Sequence, residues 1–204
     1  MELKNRTNKN TRKEKSVMTR HVDISDLNEK LIYTTRKANK TCANLVKHLR
    51  LMLRPKSLKS FKETYTNEKE IEKFANEFLI SHVISVKQVN TDIMLQIKNR
   101  RNSKIHKFEV VEYDEIFKDF TNETYKENPL LSFSGFGAEK EIKELFEKMH
   151  GKKEKTFKRV LAFHKEDDLI FIRHYIHRIT DNTKDYVVSL KEIGPKITLK
   201  HINN

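Results

Sequence analysis

One order of elements is written twice along this chain, and that repeat limits the fold more than any single motif does. Leu31 to Thr35 is short and apolar enough for a strand, and a polar, basic loop follows from Arg36 to Lys40. Cys42, Leu45, Val46, Leu49, Met52 and Leu53 then recur at helical spacing. Thr41 is the expected cap of that helix and Pro55 its stop. A second helix is expected over Glu68 to Glu77, with Ile71, Phe74, Ala75 and Phe78 inward. Three strands should follow, at Leu79 to Val86, Ile93 to Lys98 and Lys107 to Val111, the last two alternating apolar and polar residues. The order then returns: strand Leu130 to Ser134, loop Gly135 to Gly137, helix Ala138 to Met149, and strands at Phe157 to Phe163, Leu169 to Ile179 and Tyr186 to Leu190. The expected class is α/β (α+β), with two pseudo-repeated strand-helix-meander lobes at about 30–125 and 126–204. A single mixed sheet is the alternative. Residues 1–29 are expected to be a disordered basic arm ahead of the domain at 30–204.

The last strand is announced by nine residues, Glu192 to Lys200. Gly194-Pro195 breaks the backbone pattern, since glycine widens the allowed dihedrals and proline removes a donor. Beyond it Ile197 and Leu199 point to one side of an extended strand, and Lys196, Thr198 and Lys200 to the other. One side can join a core while the other presents cations and a hydroxyl.

Charge narrows the partner. Lys and Arg number 42 against 29 Asp and Glu, a net charge of +13, which points to a polyanion. The alternative is a compositional bias toward Lys and Asn, which would scatter the charge. It is not scattered: from Lys30 to Lys62 there are ten basic residues and no acid. Lys98, Arg100, Arg101, Lys104 and Lys107 form a second acid-free stretch, and Lys152, Lys153, Lys155, Lys158 and Arg159 a third with one acid. Glu109 to Glu127 is acidic by contrast. No zinc finger, basic zipper, RNP aromatic pair or GxxG loop is present in the sequence. The single Cys42 excludes an intramolecular disulfide and a multi-cysteine zinc site, and no run of about 18 apolar residues offers a membrane span.

Five segments in order resemble the Brix superfamily of ribosome-assembly proteins. LIYTTRKANKT (31–41) resembles the family's first strand and TT-R turn, and LVKHLRLMLRP (45–55) its helix ending in proline. NPLLSFSGFG (128–137) resembles the segment before the second helix. FKRVLAFHKEDDLIFIRHYIHRI (157–179) resembles a strand pair carrying Arg-x-Tyr, here Arg173 and Tyr175. SLKEIGPKITLKHI (189–202) resembles the closing signature. Within the superfamily FEVVEY (108–113), NPLL and RHY are most like the Peter Pan (Ssf-type) branch, while AFHKEDDLIFIRHY and TTR are also similar to the Imp-type and Rpf-type branches. The family's Gly-Pro-Thr loop is replaced here by Arg100 to Lys104. The resemblance implies an anticodon-binding-domain-like fold of two lobes, a nucleolar or nuclear place, binding to precursor rRNA, and a dedicated assembly-protein partner in large (60S) subunit maturation. Small-subunit assembly as an Imp-type factor, or protein interaction without direct RNA binding, are the alternatives.

Arg36, Lys37, Lys40, Lys47, Arg50, Arg54 and Lys56 are the leading candidates for neutralising RNA phosphates, with Arg100 and Arg101 at a hairpin tip and Lys196 and Lys200 on the closing strand. Tyr33 and Tyr175 are candidates for base stacking or for the core. Cys42 sits on an apolar stripe and reads as core, and His174 and His177, three apart on a strand, face opposite sides. Gly135-Phe136-Gly137 before a helix lacks the lysine of a phosphate loop and reads as a turn. Glu112, Asp114, Glu115 and Asp119 read as an exposed acidic segment rather than a nuclease's metal site. No enzyme activity, cofactor, metal, membrane or small-molecule substrate is expected.

Overall fold

The computed structural model describes residues 30–35, 38–59, 61, 67–115, 122–137, 139–150, 157–182 and 185–202. The expected arm at 1–29 lies outside them. The elements in order are β1 (Lys30–Thr34), α1 (Lys40–Met52), α2 (Glu68–Glu77), β2 (His82–Val89), β3 (Asp92–Asn99), β4 (Ile105–Asp114), β5 (Leu130–Ser134), α3 (Lys140–His150), β6 (Arg159–Glu166), β7 (Leu169–Asn182), β8 (Asp185–Glu192) and β9 (Lys196–Ile202).

The written repeat becomes one sheet. Its order is β1-β2-β3-β4-β9-β7-β6-β5, with β8 added along β7. In each half the first two strands are parallel, β1 with β2 and β5 with β6, and the rest antiparallel. A parallel pair needs a crossover, which α1 supplies in the first half and α3 in the second. The halves meet where β4 runs antiparallel to β9. Both expectations are thus met together: two pseudo-repeated units, built into a single mixed sheet.

Both crossover helices pack on the same face of that sheet. Cys42, Leu45, Leu49 and Met52 of α1 join Ile142, Leu145, Phe146 and Met149 of α3 in one core with Ile84, Ile97, Phe108, Leu161, Ile172, Ile197 and Leu199. The opposite face of the first half is covered by α2, whose Ile71 and Ala75 pack on Leu31, Val83 and Ile80. The switch between faces follows from the strand period of two: Ile32 and Ile84 point one way, Leu31 and Val83 the other.

Arg159 clamps the halves together. Its side chain is fully buried and donates from Nη1 to the Met52 carbonyl at 2.9 Å, and from Nη2 to the carbonyls of Arg54 and, at 3.2 Å, Glu127. Met52 and Arg54 close α1, where carbonyls have no helical partner and a cation is favoured. Tyr125 lies under the guanidinium at 5.2 Å. Burial, with the cation adding to it, keeps His174 uncharged. Burial first, and then Arg159, pull His174 down to about 3, a backbone hydrogen bond with Gly194 opposing. Neutral His174 can therefore offer its Nε2 lone pair to Arg159 Nη1, 3.4 Å away. Arg159 does not belong to the basic surface that its stretch suggested.

Several boundaries differ from expectation for local reasons. Asn39, not Thr41, caps α1: its Oδ1 accepts from the Cys42 N–H at 2.8 Å. β2 starts at His82 because Leu79 and Ile80 close α2 instead of opening a strand. Phe78 points outward and is 53% exposed. β7 runs on for 14 residues, and its far part pairs with β8 as a ribbon while its near part pairs with β9. The Ile193-Gly194-Pro195 break is where one edge partner gives way to the next, with Gly194 at φ +70°.

Candidate nucleic-acid interface

The structure sorts the predicted cations into three groups on different parts of the surface. The first lies on α1, whose apolar stripe faces the sheet and turns the remaining side chains to solvent. Lys40 and Lys47, two turns apart, are exposed on it, and among the described residues no acid lies within ion-pair distance of either. Arg50 is turned inward, where Nε and Nη2 donate to the Ile32 carbonyl at 3.0 and 2.7 Å and tie the helix to β1. Arg54 and Lys56 are half-buried beyond the helix end, and their carbonyls accept from Arg159 and from the Lys30 N–H. Arg36 and Lys37 lie outside the described residues. An acid does approach the outer face of this helix: Asn44 Nδ2 donates to Glu115 Oε1 at 2.7 Å. Next to it His48 Nδ1 meets the Tyr113 hydroxyl at 2.5 Å, and burial lowers the imidazole and raises the phenol.

The second group is the β3–β4 turn. Arg100 is not offered to a ligand, because its guanidinium donates to the carbonyls of Ala75 and Ile80 at 2.9 and 2.8 Å and also bonds Asn76. It caps the end of α2, and Glu72 lies 3.4 Å from its Nε. Lys98 pairs with the same Glu72, and these cations hold the Glu72 carboxyl below the usual range. Arg101 is exposed at the turn itself.

The third group occupies the face of the second half that corresponds to the one α2 covers in the first. Among the described residues no helix covers it. Lys196, Thr198 and Lys200 of β9 lie beside Phe171 and Arg173 of β7, then Ala162 and His164 of β6, then Ser132 and Ser134 of β5. Arg173 sits 5.7 Å over the Phe171 ring and donates to the Ile197 carbonyl at 3.2 Å. His164 stacks on Phe171 with centroids 6.0 Å apart and hydrogen-bonds Ser134 at 2.8 Å. Acids temper this surface: Glu192 lies 4.0 Å from Arg173 and 3.8 Å from Lys196, and Thr198, itself buried, donates to Glu112 at 3.0 Å. Lys200 is the exposed cation of β9. Cation-backed aromatic surface on an open sheet suits stacking and phosphate contact together. Sequence reasoning placed Lys196 and Lys200 here but not Phe171, Arg173 or His164. The alternation of β7 was visible, but its pairing with β9 was not.

The remaining residues weighed for chemistry resolve structurally. Cys42 is fully buried in the core, and burial raises its thiol. His174 faces the core while His177, on the opposite side, bonds the Phe157 carbonyl. Tyr33 is half-buried against Phe61, and Tyr175 is half-buried on β7. Gly135 is required by close approach: at φ +79°, a Cβ there would stand 1.9 Å from the Lys165 carbonyl oxygen. The hollow beside that turn is lined by Glu144 and Glu147 as well as Lys140 and Lys143, so its charge is mixed. Glu112 and Asp114 on β4 and Glu115 just past it are exposed, as expected of an acidic segment, Asp119 lies outside the described residues, and no His, Cys, Asp and Glu cluster able to hold a metal is found among the described residues.

The sequence matches the Brix domain family model over residues 35–203. In fold the chain is similar to the crystal structure of a probable ribosomal biogenesis protein from Aeropyrum pernix K1, with a TM-score of 0.59 and 11% sequence identity over 84% of this chain and 95% of that one. No curated protein matches the chain in sequence.

Proposed function

Because the chain belongs to the Brix domain family, a family of ribosome biogenesis factors, we propose that it binds precursor rRNA and a dedicated assembly protein during maturation of the large ribosomal subunit, in the nucleolus, as a Peter Pan-type member. The family match across 35–203 carries this reading. Two lobes at 30–125 and 126–204 would act as one rigid platform, since they share a sheet and a core. The RNA contacts proposed are Lys40 and Lys47 on α1, Arg36 and Lys37 just ahead of it in the sequence, Arg101 at the β3–β4 turn, and Lys196 and Lys200 with Arg173 and Phe171 on the open sheet face. Arg50 and Arg100 are left out, because their guanidinium groups are consumed in holding α1 and α2. The role is positioning and charge neutralisation; no catalytic step is proposed.

Crosslinking of the tagged protein to RNA in cells, followed by sequencing, tests this. Large-subunit precursor reads are expected. Small-subunit precursor reads would instead make the protein an Imp-type factor, and the absence of rRNA reads would leave a protein-interaction module.

A further inference from the structure

The internal repeat leaves one position unfilled. β2 and β6 run into like turns, with Asn90 at φ +55° and Asp167 at φ +49°, and the pairings on either side keep one register. Leu31, Val83 and Lys98, side by side in the first half, correspond to Leu130, Val160 and Tyr175 in the second. Tyr33, Ser85 and Gln96 correspond in the same way to Ser132, Ala162 and Arg173. α2 lies on the first set, where Leu31, Val83 and Ser85 are 0%, 6% and 5% exposed. Among the described residues no helix lies on the second set. Val160 is buried there, but Leu130, Ala162 and Tyr175 are half-exposed and Ser132 is exposed.

The second half has no length of chain for its own α2. Between α1 and β2 run twenty-nine residues (53–81), and ten of them form α2. Between α3 and β6 run eight (151–158). Residues 1–29 enter at β1, the opposite end of the sheet from β5. The chemistry of the vacant floor also differs from the first. Lys98 and Arg100, which hold Glu72 of α2, are replaced at the corresponding positions by Tyr175 and His177. His177 carries the Phe157 ring at 4.7 Å, and on β8 Leu190, opposite His177, and Val188 extend the floor at 54% and 62% exposed. The charges at its margin are matched: Lys158 with Glu127 at 3.0 Å, and Arg173 with Glu192 at 4.0 Å. A floor that is more apolar than the one beneath α2, with balanced charge around it, suits the apolar stripe of a helix. We infer that Leu130, Ala162, Tyr175 and Leu190 seat an amphipathic helix of a partner protein, laid where the repeat calls for a second α2. This rests on the reading that an assembly protein accompanies the chain, and gives that protein's contact its place and its shape. Arg173 marks the border with the cations of β9, which remain open to RNA.

The test places a benzophenone side chain at position 132 of the full chain and irradiates precursor particles purified through the protein. Crosslinks to one other protein are expected, in a segment whose apolar residues recur at helical spacing. Ala162→Glu is the second arm, because a carboxylate there would be buried beneath the helix, and Ser132→Glu repeats it at an exposed position that the fold tolerates. Both should keep the unfolding midpoint, while retention of the crosslinked protein falls about tenfold. Crosslinks to rRNA, to a second copy, to residues 1–29 or to nothing, or retention unchanged in both variants, would overturn the inference. Particles without precursor rRNA would instead sink the proposed function itself.

Discussion

Replacing Arg159 by Met tests whether the two halves are held by a buried cation. Met approximates the length of the side chain but removes every donor, so the carbonyls of Met52, Arg54 and Glu127 lose a partner inside the protein. A buried carbonyl left unsatisfied costs about 1–3 kcal/mol, so three sites at the low end give about 3 kcal/mol. Relief of the guanidinium's own desolvation offsets part of this, as happens when a buried charge is replaced by an apolar side chain. The net expectation is about 2 kcal/mol of lost stability, which for a chain of this size lowers the unfolding temperature by roughly 4–8 °C. Urea and thermal unfolding followed by circular dichroism measure it. Arg159→Lys should fall between, since one ammonium cannot span three carbonyls. His174 supplies an independent readout: without the neighbouring cation its ring nitrogen should titrate closer to the ordinary imidazole range, seen by NMR. An Arg159→Met protein within 1 kcal/mol of the original, with His174 unmoved, would refute the clamp.

Other expectations follow from the same packing. Stability should fall as the pH drops below about 6.5, because His82, His150 and His174 are held neutral in the fold, at about 4, 3 and 3, and protonate readily once unfolded. Each contributes about 1.4 kcal/mol per pH unit between its folded value and 6.5, so urea midpoints measured from pH 7 to pH 5 should decline steeply. Gly135→Ala should destabilise by about 2 kcal/mol or more through its clash with the Lys165 carbonyl, whereas Gly137→Ala, with nothing within 4 Å, should cost only the left-handed backbone penalty of about 1 kcal/mol. Reversing Lys40 and Lys47 to Glu should weaken RNA binding and reduce the slope of log affinity against log salt by about one per lost phosphate contact, with thermal stability unchanged. Arg50→Ala should do the opposite, lowering the unfolding midpoint while leaving that salt slope alone, since its guanidinium is spent on Ile32.

Periodicity alone carried much of this protein into view. Local spacing decides which side chains share a face, so the bounds of α2 and β5 and the alternation of the closing strand were legible, and Ile197 and Leu199 were legible as core, although Phe78 was expected inward and lies exposed. The charge segregation and the repeat were equally local. Pairing across the chain was not. That β9 would lie between β4 and β7 is a contact between residues 25 to 95 positions apart in sequence, and it decided which side chains meet on the open face. The cations make the same point. Sequence counted Arg50, Arg100 and Arg159 as positive surface, because charge is a property of the residue. Tertiary structure put each against helix-end or strand carbonyls, because those acceptors need donors in the interior and arginine can reach several at once. Composition decided that the protein would be basic; only the folded chain decided which of those charges face outward, where a phosphate can find them.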